Sequence, residues 1–197
     1  MDSIKMKTGD LLLFTSDCWY SKVIEVGTDS KYSHCGVILV DPIGIDPSLT
    51  GTYLLESGRE PFLDAVDHQF HFGVEIVPLG KVLEEYVQKG LGQIYHRSLQ
   101  TTNMIPDLHE LYEKIRNKPY NCNVLDWIEA WTGVQWFDKQ MTNKFWCSAL
   151  ATFIYTQIGV LDPSTPWSLI TPKDLSEEST YPLKWINSSL GKEVCLL

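Results

Sequence analysis

The chain of 197 residues is 44% hydrophobic and 21% charged, the balance of a globular domain that buries a core without disulfides or a structural metal. A disordered tail, a collagen and a coiled coil are thereby excluded. Sixteen basic residues against 25 acidic ones leave a net charge of −9 with no basic stripe, which argues against nucleic acid and sets an anionic membrane surface against the protein as a whole.

The first half reads as strands. Asp10 to Thr15 is a short apolar run after a Thr-Gly turn, and Ser33 to Val40 is rich in β-branched residues and stops at Asp41-Pro42. Tyr53 to Ser57 lies between Gly51 and Gly58, and Val74 to Leu79 and Ile94 to Leu99 complete a set of about five. A helix over Leu79–Lys89 separates the last two. The second half turns to a helical period: within Pro106–Arg116, Leu108, Leu111, Tyr112 and Ile115 form one stripe, ended by Lys118-Pro119. A second helix is expected over Val124–Thr132 and a third over Cys147–Ile158, capped by Gly159. From Asp162 onward, prolines and Ser/Thr stretches predict a surface loop and a short terminal helix. Strands first and helices afterwards predict an α+β fold. With no internal repeat and no dividing linker, residues 1–197 are expected to form one domain.

No run approaches the ~20 apolar residues of a membrane span, and Met1-Asp2-Ser3-Ile4-Lys5 lacks the apolar core of a secretory signal. The expectation is an intracellular, cytoplasmic protein with no transmembrane segment, touching a membrane at most peripherally. Cys18, Cys35, Cys122, Cys147 and Cys195 are odd in number, widely spaced and without a C-x-x-C pair. They read as free thiols in a reducing compartment rather than a disulfide framework or a zinc site.

Cys147 opens the third predicted helix. There the positive end of the helix dipole and the unpaired N–H groups of the first turn favour a thiolate and can hold an oxyanion. A buried packing cysteine is the plain alternative. A thiol nucleophile needs a base, and the base needs an orienting group. His34 is the candidate base. It shares one strand face with Gly36, Ile38 and Val40, whereas Cys35, Val37 and Leu39 share the other; Gly36 leaves room for a group to approach the ring. If the strands on either side of Asp41–Thr52 pair antiparallel, Glu56 faces the same side as His34 and holds one imidazole nitrogen, leaving the other for Cys147.

These residues also carry a resemblance. Gly9-Asp10-Leu11-Leu12-Leu13-Phe14, Tyr32-Ser33-His34-Cys35-Gly36-Val37, Leu54-Leu55-Glu56-Ser57, Lys118-Pro119-Tyr120-Asn121, Phe145-Trp146-Cys147-Ser148-Ala149-Leu150 and Thr171-Pro172-Lys173-Asp174-Leu175 together resemble the circularly permuted NlpC-type papain-like family. That branch includes bacterial lipid- and peptide-directed hydrolases, poxviral relatives and, more distantly, lecithin–retinol acyltransferase. The resemblance implies a small curved antiparallel sheet packed against helices, with Cys147 as nucleophile, His34 as base and Glu56 as the orienting residue. It places Tyr120 near the nucleophile as a substrate-binding group, and it implies no cofactor.

Between the Pro-Tyr element and Cys147 lies an insertion-like stretch, Asn121 to Lys144, carrying Trp127, Trp131 and Trp136. Trp127 and Trp131 are four apart on one helix face, suited to an acyl-chain groove, to a membrane-dipping edge or to ordinary packing. Trp131 is the expected substrate contact. His68 and His71 near Asp64 and Asp67 have metal-compatible spacing but no evident third ligand, so no metal site is assigned. The other four cysteines read as packing or surface residues. The expected function is a thiol hydrolase or acyltransferase on an ester or amide bond of a small-molecule, acyl-lipid or peptide substrate, with fatty-acyl compounds favoured. The alternative is an inactive papain-like fold that binds protein or lipid.

Overall fold

The computed structural model describes residues 5–15, 30–58, 61–121 and 142–197. Its described strands are β1 (Leu11–Phe14), β2 (His34–Val40), β3 (Thr52–Gly58), β4 (Gly73–Pro78), β5 (Ile94–Thr101) and β6 (Ser188–Cys195), and its helices are α1 (Leu79–Lys89), α2 (His109–Ile115) and α3 (Cys147–Gln157). The strands form one six-stranded sheet in the order β4-β3-β2-β1-β5-β6, each neighbour antiparallel. The fold is therefore α+β, as expected from the sequence.

Both faces of the sheet are covered, which explains why β1 is four buried apolar residues in a row rather than an alternation. On one face Leu11, Leu13, Cys35, Val37, Leu39, Leu55 and Ile76 join α3 in the larger core. On the other, Leu12, Phe14, Ile38, Leu54 and Val77 meet Leu79 and Val82 of α1. Helix α1 has the amphipathic pattern of a surface helix, with Glu84–Gln88 and Glu85–Lys89 pairs four apart on its outer side. Helix α3 is apolar nearly all round, and ten of its residues are buried, as a central helix requires. After it, Gly159 adopts φ 76°, the left-handed conformation expected of a residue that ends a helix.

The hairpin β2–β3 sets the register of the site. Asp41 N–H bonds the Gly51 carbonyl at 2.8 Å, and Gly51 N–H returns to Asp41 Oδ1 at 2.7 Å. With this clasp Val37 faces Leu55. A slip of one residue would turn Glu56 to the opposite face.

Two expectations are corrected. Helix α2 begins at His109 rather than near Pro106, with Leu108 as its N-cap, because the chain before it is held in a turn in which Asp107 Oδ1 accepts the His109 N–H at 2.8 Å. The tail from Asp162 forms two 3₁₀ turns, Trp167–Leu169 and Lys173–Leu175, and then β6 in place of a terminal helix. That strand is mostly half-buried or exposed, so it lacks a hydrophobic signature. It is held by pairing with β5 and by the Arg97 guanidinium, which donates to the carbonyls of Gly191, Leu190 and Leu175. The predicted helix over Val124–Thr132 lies outside the described residues.

Candidate active site

Cys147 is delivered by an extended lead-in. Phe145 N–H bonds the Pro119 carbonyl at 3.2 Å, while its carbonyl accepts Asn121 N–H at 2.9 Å and the Ser57 hydroxyl at 2.8 Å. Trp146 stays extended (φ −96°, ψ 171°), and the first helical bond runs from Leu150 N–H to the Trp146 carbonyl. Ser148 donates its hydroxyl to the Ile170 carbonyl at 2.8 Å, tying the first turn to the segment behind it. No side chain caps this turn, so its N–H groups are not taken up by a capping oxygen.

His34 is the first residue of β2, and its side chain is 21% exposed, the open edge of the cluster. Its ring tilts against Phe14, with centroids 5.4 Å apart. The Nε2 atom contacts Glu56 Oε2, which leaves Nδ1 as the ring nitrogen available to the thiol. Glu56 is buried, and its Oε1 has no hydrogen-bond partner; across the strand pair it faces Glu75. Room for the His–Glu pair comes from two glycines. The space above Gly36 is filled by Leu54 and the Glu56 Cβ rather than by a group approaching the ring. Gly58 is the residue against the imidazole, since a Cβ there would lie 3.3 Å from His34 Cε1.

Alternation puts His34 and Cys35 on opposite faces of β2, yet both interact with Cys147. They do so because the start of α3 meets the start of β2. The electrostatics follow from this meeting. A hydrogen bond from the Cys35 thiol holds the Cys147 pKa well below the usual thiol range; the positive His34 ring adds to it, and together they overcome burial. Burial opposes the charged form of His34, but the Glu56 carboxylate and the Cys147 thiolate outweigh it and push the imidazole pKa well above its ordinary value. Burial, the hydrogen bond to Cys147 and the negative charges nearby push Cys35 upward, so it remains a protonated donor. The three shifts favour a thiolate–imidazolium pair with a neutral thiol beside it.

Tyr120 is half-buried, and its backbone bridges Phe145 two residues before Cys147. Its ring stacks on Phe72 with centroids 5.1 Å apart. Gly73 makes this approach, because a Cβ there would lie 2.1 Å from the Lys118 carbonyl oxygen. Cys147, His34, Glu56 and Tyr120 are thus gathered from four distant segments. Trp131, with Trp127 and Trp136, lies outside the described residues. Cys35, which the sequence alone gives as a packing or surface residue, is a neighbour of Cys147; its place next to His34 on the core-facing side of β2 is the signal that points to it.

Around the two histidines, Asp64 spends its oxygens on the N–H groups of Val66, Asp67 and Ile76, and Asp67 pairs with His71. Among the described residues no group of three or more His, Cys, Asp and Glu side chains is arranged to hold a metal ion. Among them also, no helix is long and apolar enough to cross a membrane.

Comparison with protein-family models gives no match, and comparison with curated proteins gives none. Among solved structures, the chain is similar to the crystal structure of the metalloprotein yiiX from Escherichia coli O157:H7 (DUF1105). The likeness has 16% identity and a TM-score of 0.46, over 97% of this chain and 96% of that one.

Proposed function

We propose that this chain is a cysteine hydrolase or acyltransferase of permuted papain-like architecture, acting on an ester or amide bond. The observation that carries the reading is the chain of contacts from Cys147 to His34 to Glu56, drawn from α3, β2 and β3, with the thiol biased toward thiolate and the imidazole toward imidazolium. In this reading the thiolate attacks the carbonyl carbon, and first-turn N–H groups of α3 stabilise the oxyanion. The His34 proton passes to the departing oxygen or nitrogen, leaving a thioester on Cys147. His34, now neutral, takes a proton from water or from an acceptor hydroxyl or amine, which attacks the thioester and frees the thiol. Glu56 holds the ring and stabilises its charge. The sequence of steps requires no cofactor.

An acyl substrate is favoured by the apolar surface next to the Tyr120 segment. Phe72, which stacks on Tyr120, is 53% exposed, and Phe70 is 69% exposed. Two measurements test the proposal. Iodoacetamide labelling followed by peptide mass spectrometry ranks the thiols, with Cys147 expected to react faster than Cys195 and His34→Ala expected to abolish that advantage. A series of p-nitrophenyl esters from acetyl to palmitoyl then reads turnover, expected to rise with chain length. Cys147 reacting no faster than Cys195 would overturn the enzymatic reading. Equal turnover across the series would overturn only the acyl preference.

A further inference from the structure

Next to the thiol that the proposed function uses stands one that it does not. Cys35 is fully buried on the face of β2 that α3 covers, and its S–H is a hydrogen-bond partner of the Cys147 sulfur. Two free thiols in contact, one of them biased toward thiolate, are the reactants of disulfide formation. The third described thiol, Cys195, lies on β6, which β1 and β5 separate from β2. Cys35 is therefore the described thiol within reach of Cys147.

We propose that Cys35 is a resolving cysteine: hydrogen peroxide oxidises Cys147, and Cys35 closes a reversible Cys35–Cys147 disulfide that switches the site off and shields the nucleophile from irreversible oxidation. The inference rests on Cys147 being the reactive thiol of the proposed function. In the first step the Cys147 thiolate attacks one peroxide oxygen. The O–O bond breaks, sulfur keeps the hydroxyl group, and the other oxygen leaves as hydroxide, which takes the His34 proton to become water. In the second step the Cys35 thiol gives up its proton and attacks the Cys147 sulfur. The S–S bond forms, the S–O bond breaks, and the departing hydroxyl leaves with that proton as a second water. Two electrons pass from the thiol pair to one peroxide.

The surroundings suit both steps. The partly exposed His34 side gives a small oxidant a path to Cys147, a residue that is itself only 4% exposed. Once the Cys147 sulfur carries a hydroxyl group its negative charge is gone, and with it part of what keeps Cys35 protonated. His34 has then become neutral and can accept the Cys35 proton. In a reducing compartment such a bond is transient, as expected for a sensor rather than a structural cross-link.

The experiment uses the full chain treated with hydrogen peroxide, blocked with N-ethylmaleimide and digested without reduction. Mass spectrometry is expected to find the Cys35 peptide joined to the Cys147 peptide with a loss of two hydrogens. Iodoacetamide labelling of Cys147 should fall by more than about tenfold and return with dithiothreitol. Cys35→Ser and Cys35→Ala should instead accumulate sulfinic acid at Cys147, with labelling that dithiothreitol does not restore. The inference is overturned if wild-type protein forms sulfinic acid at the rate of these variants, or if Cys147 is joined to a different cysteine. Fast labelling of Cys147 in untreated protein with no disulfide after oxidation would sink the switch and leave the nucleophile standing; slow labelling would sink the nucleophile itself.

Discussion

Replacing Glu56 by Gln separates its charge from its shape. The amide keeps an oxygen to accept from His34 Nε2 in the same buried place between β2 and β4, so the variant removes a negative charge and little volume. Two unit charges about 4 Å apart at an effective dielectric of about 20 attract by about 4 kcal/mol. With His34 21% exposed, solvent screening halves this to about 2 kcal/mol. At about 1.4 kcal/mol per factor of ten, that is about a thirtyfold change in the imidazolium equilibrium. Glu56 raises the imidazole pKa, so its removal lowers it and makes the imidazolium proton easier to lose. The thiolate–imidazolium pair exists between the Cys147 and His34 pKa values, and the substitution narrows that window from its alkaline side. The assay is the pH profile of kcat/KM for p-nitrophenyl acetate, which reads the ion pair, whereas alkylation reads the thiolate alone. Its alkaline limb should move to lower pH, and turnover near that limb should fall about thirtyfold. An unchanged profile in a folded Glu56→Gln protein would refute the orienting role and leave at most a Cys147–His34 dyad.

Other substitutions probe the same geometry. Gly58→Ala sets a methyl 3.3 Å from His34 Cε1 and 3.5 Å from Glu56 Oε2, so Cys147 labelling should fall about tenfold or more with a change in melting temperature of only a few degrees. Tyr155 donates its buried hydroxyl to the Gly9 carbonyl at 2.9 Å; Tyr155→Phe strands that carbonyl and should cost about 1–3 kcal/mol by urea unfolding. Asp10 is buried, paired with His96 and bonded to the N–H groups of Lys7 and Leu99. Although burial opposes its charge, these bonds hold its pKa below 3.8. Its contribution is therefore present above the ordinary carboxylate pKa and lost as pH falls through the lower folded value. Asp10→Asn should cost about 3–5 kcal/mol at neutral pH, with the gap to wild type narrowing in acid unfolding as pH falls through the lowered Asp10 pKa.

Much of this arrangement was legible in the residues, for reasons that differ by element. Strands β1 to β5 announced themselves because turn formers bracket each apolar run, and α3 did so because its apolar run is long and ends at Gly159. Glu56 could be placed facing His34 because strand alternation leaves only two sides and the Asp41–Thr52 connection is short enough for a hairpin. Strand β6 stayed hidden, since its stability resides in β5 and in the three carbonyls gripped by Arg97. The role of Cys35 was hidden for a related reason. Its neighbour arrives from a helix more than a hundred positions later, and no local period records which helix will cover a strand face. The Tyr120 segment was read by likeness alone, whereas its proximity to Cys147 is made by backbone pairing to Phe145 and by the bare Cα of Gly73.

The dependence of β2 and β3 on α3 also has a consequence in time. A ribosome adding roughly 5–20 residues per second needs on the order of 5–20 s after finishing β3 to reach the helix that covers it. For that interval Val37, Leu39 and Leu55, all within 2% of complete burial in the finished fold, have no helix over them. The nascent hairpin is then a sticky surface, open to self-association or to a chaperone. The same delay keeps Cys147 apart from His34, so on the proposed function a partly made chain carries neither the chemistry nor the oxidant sensitivity proposed for the complete one.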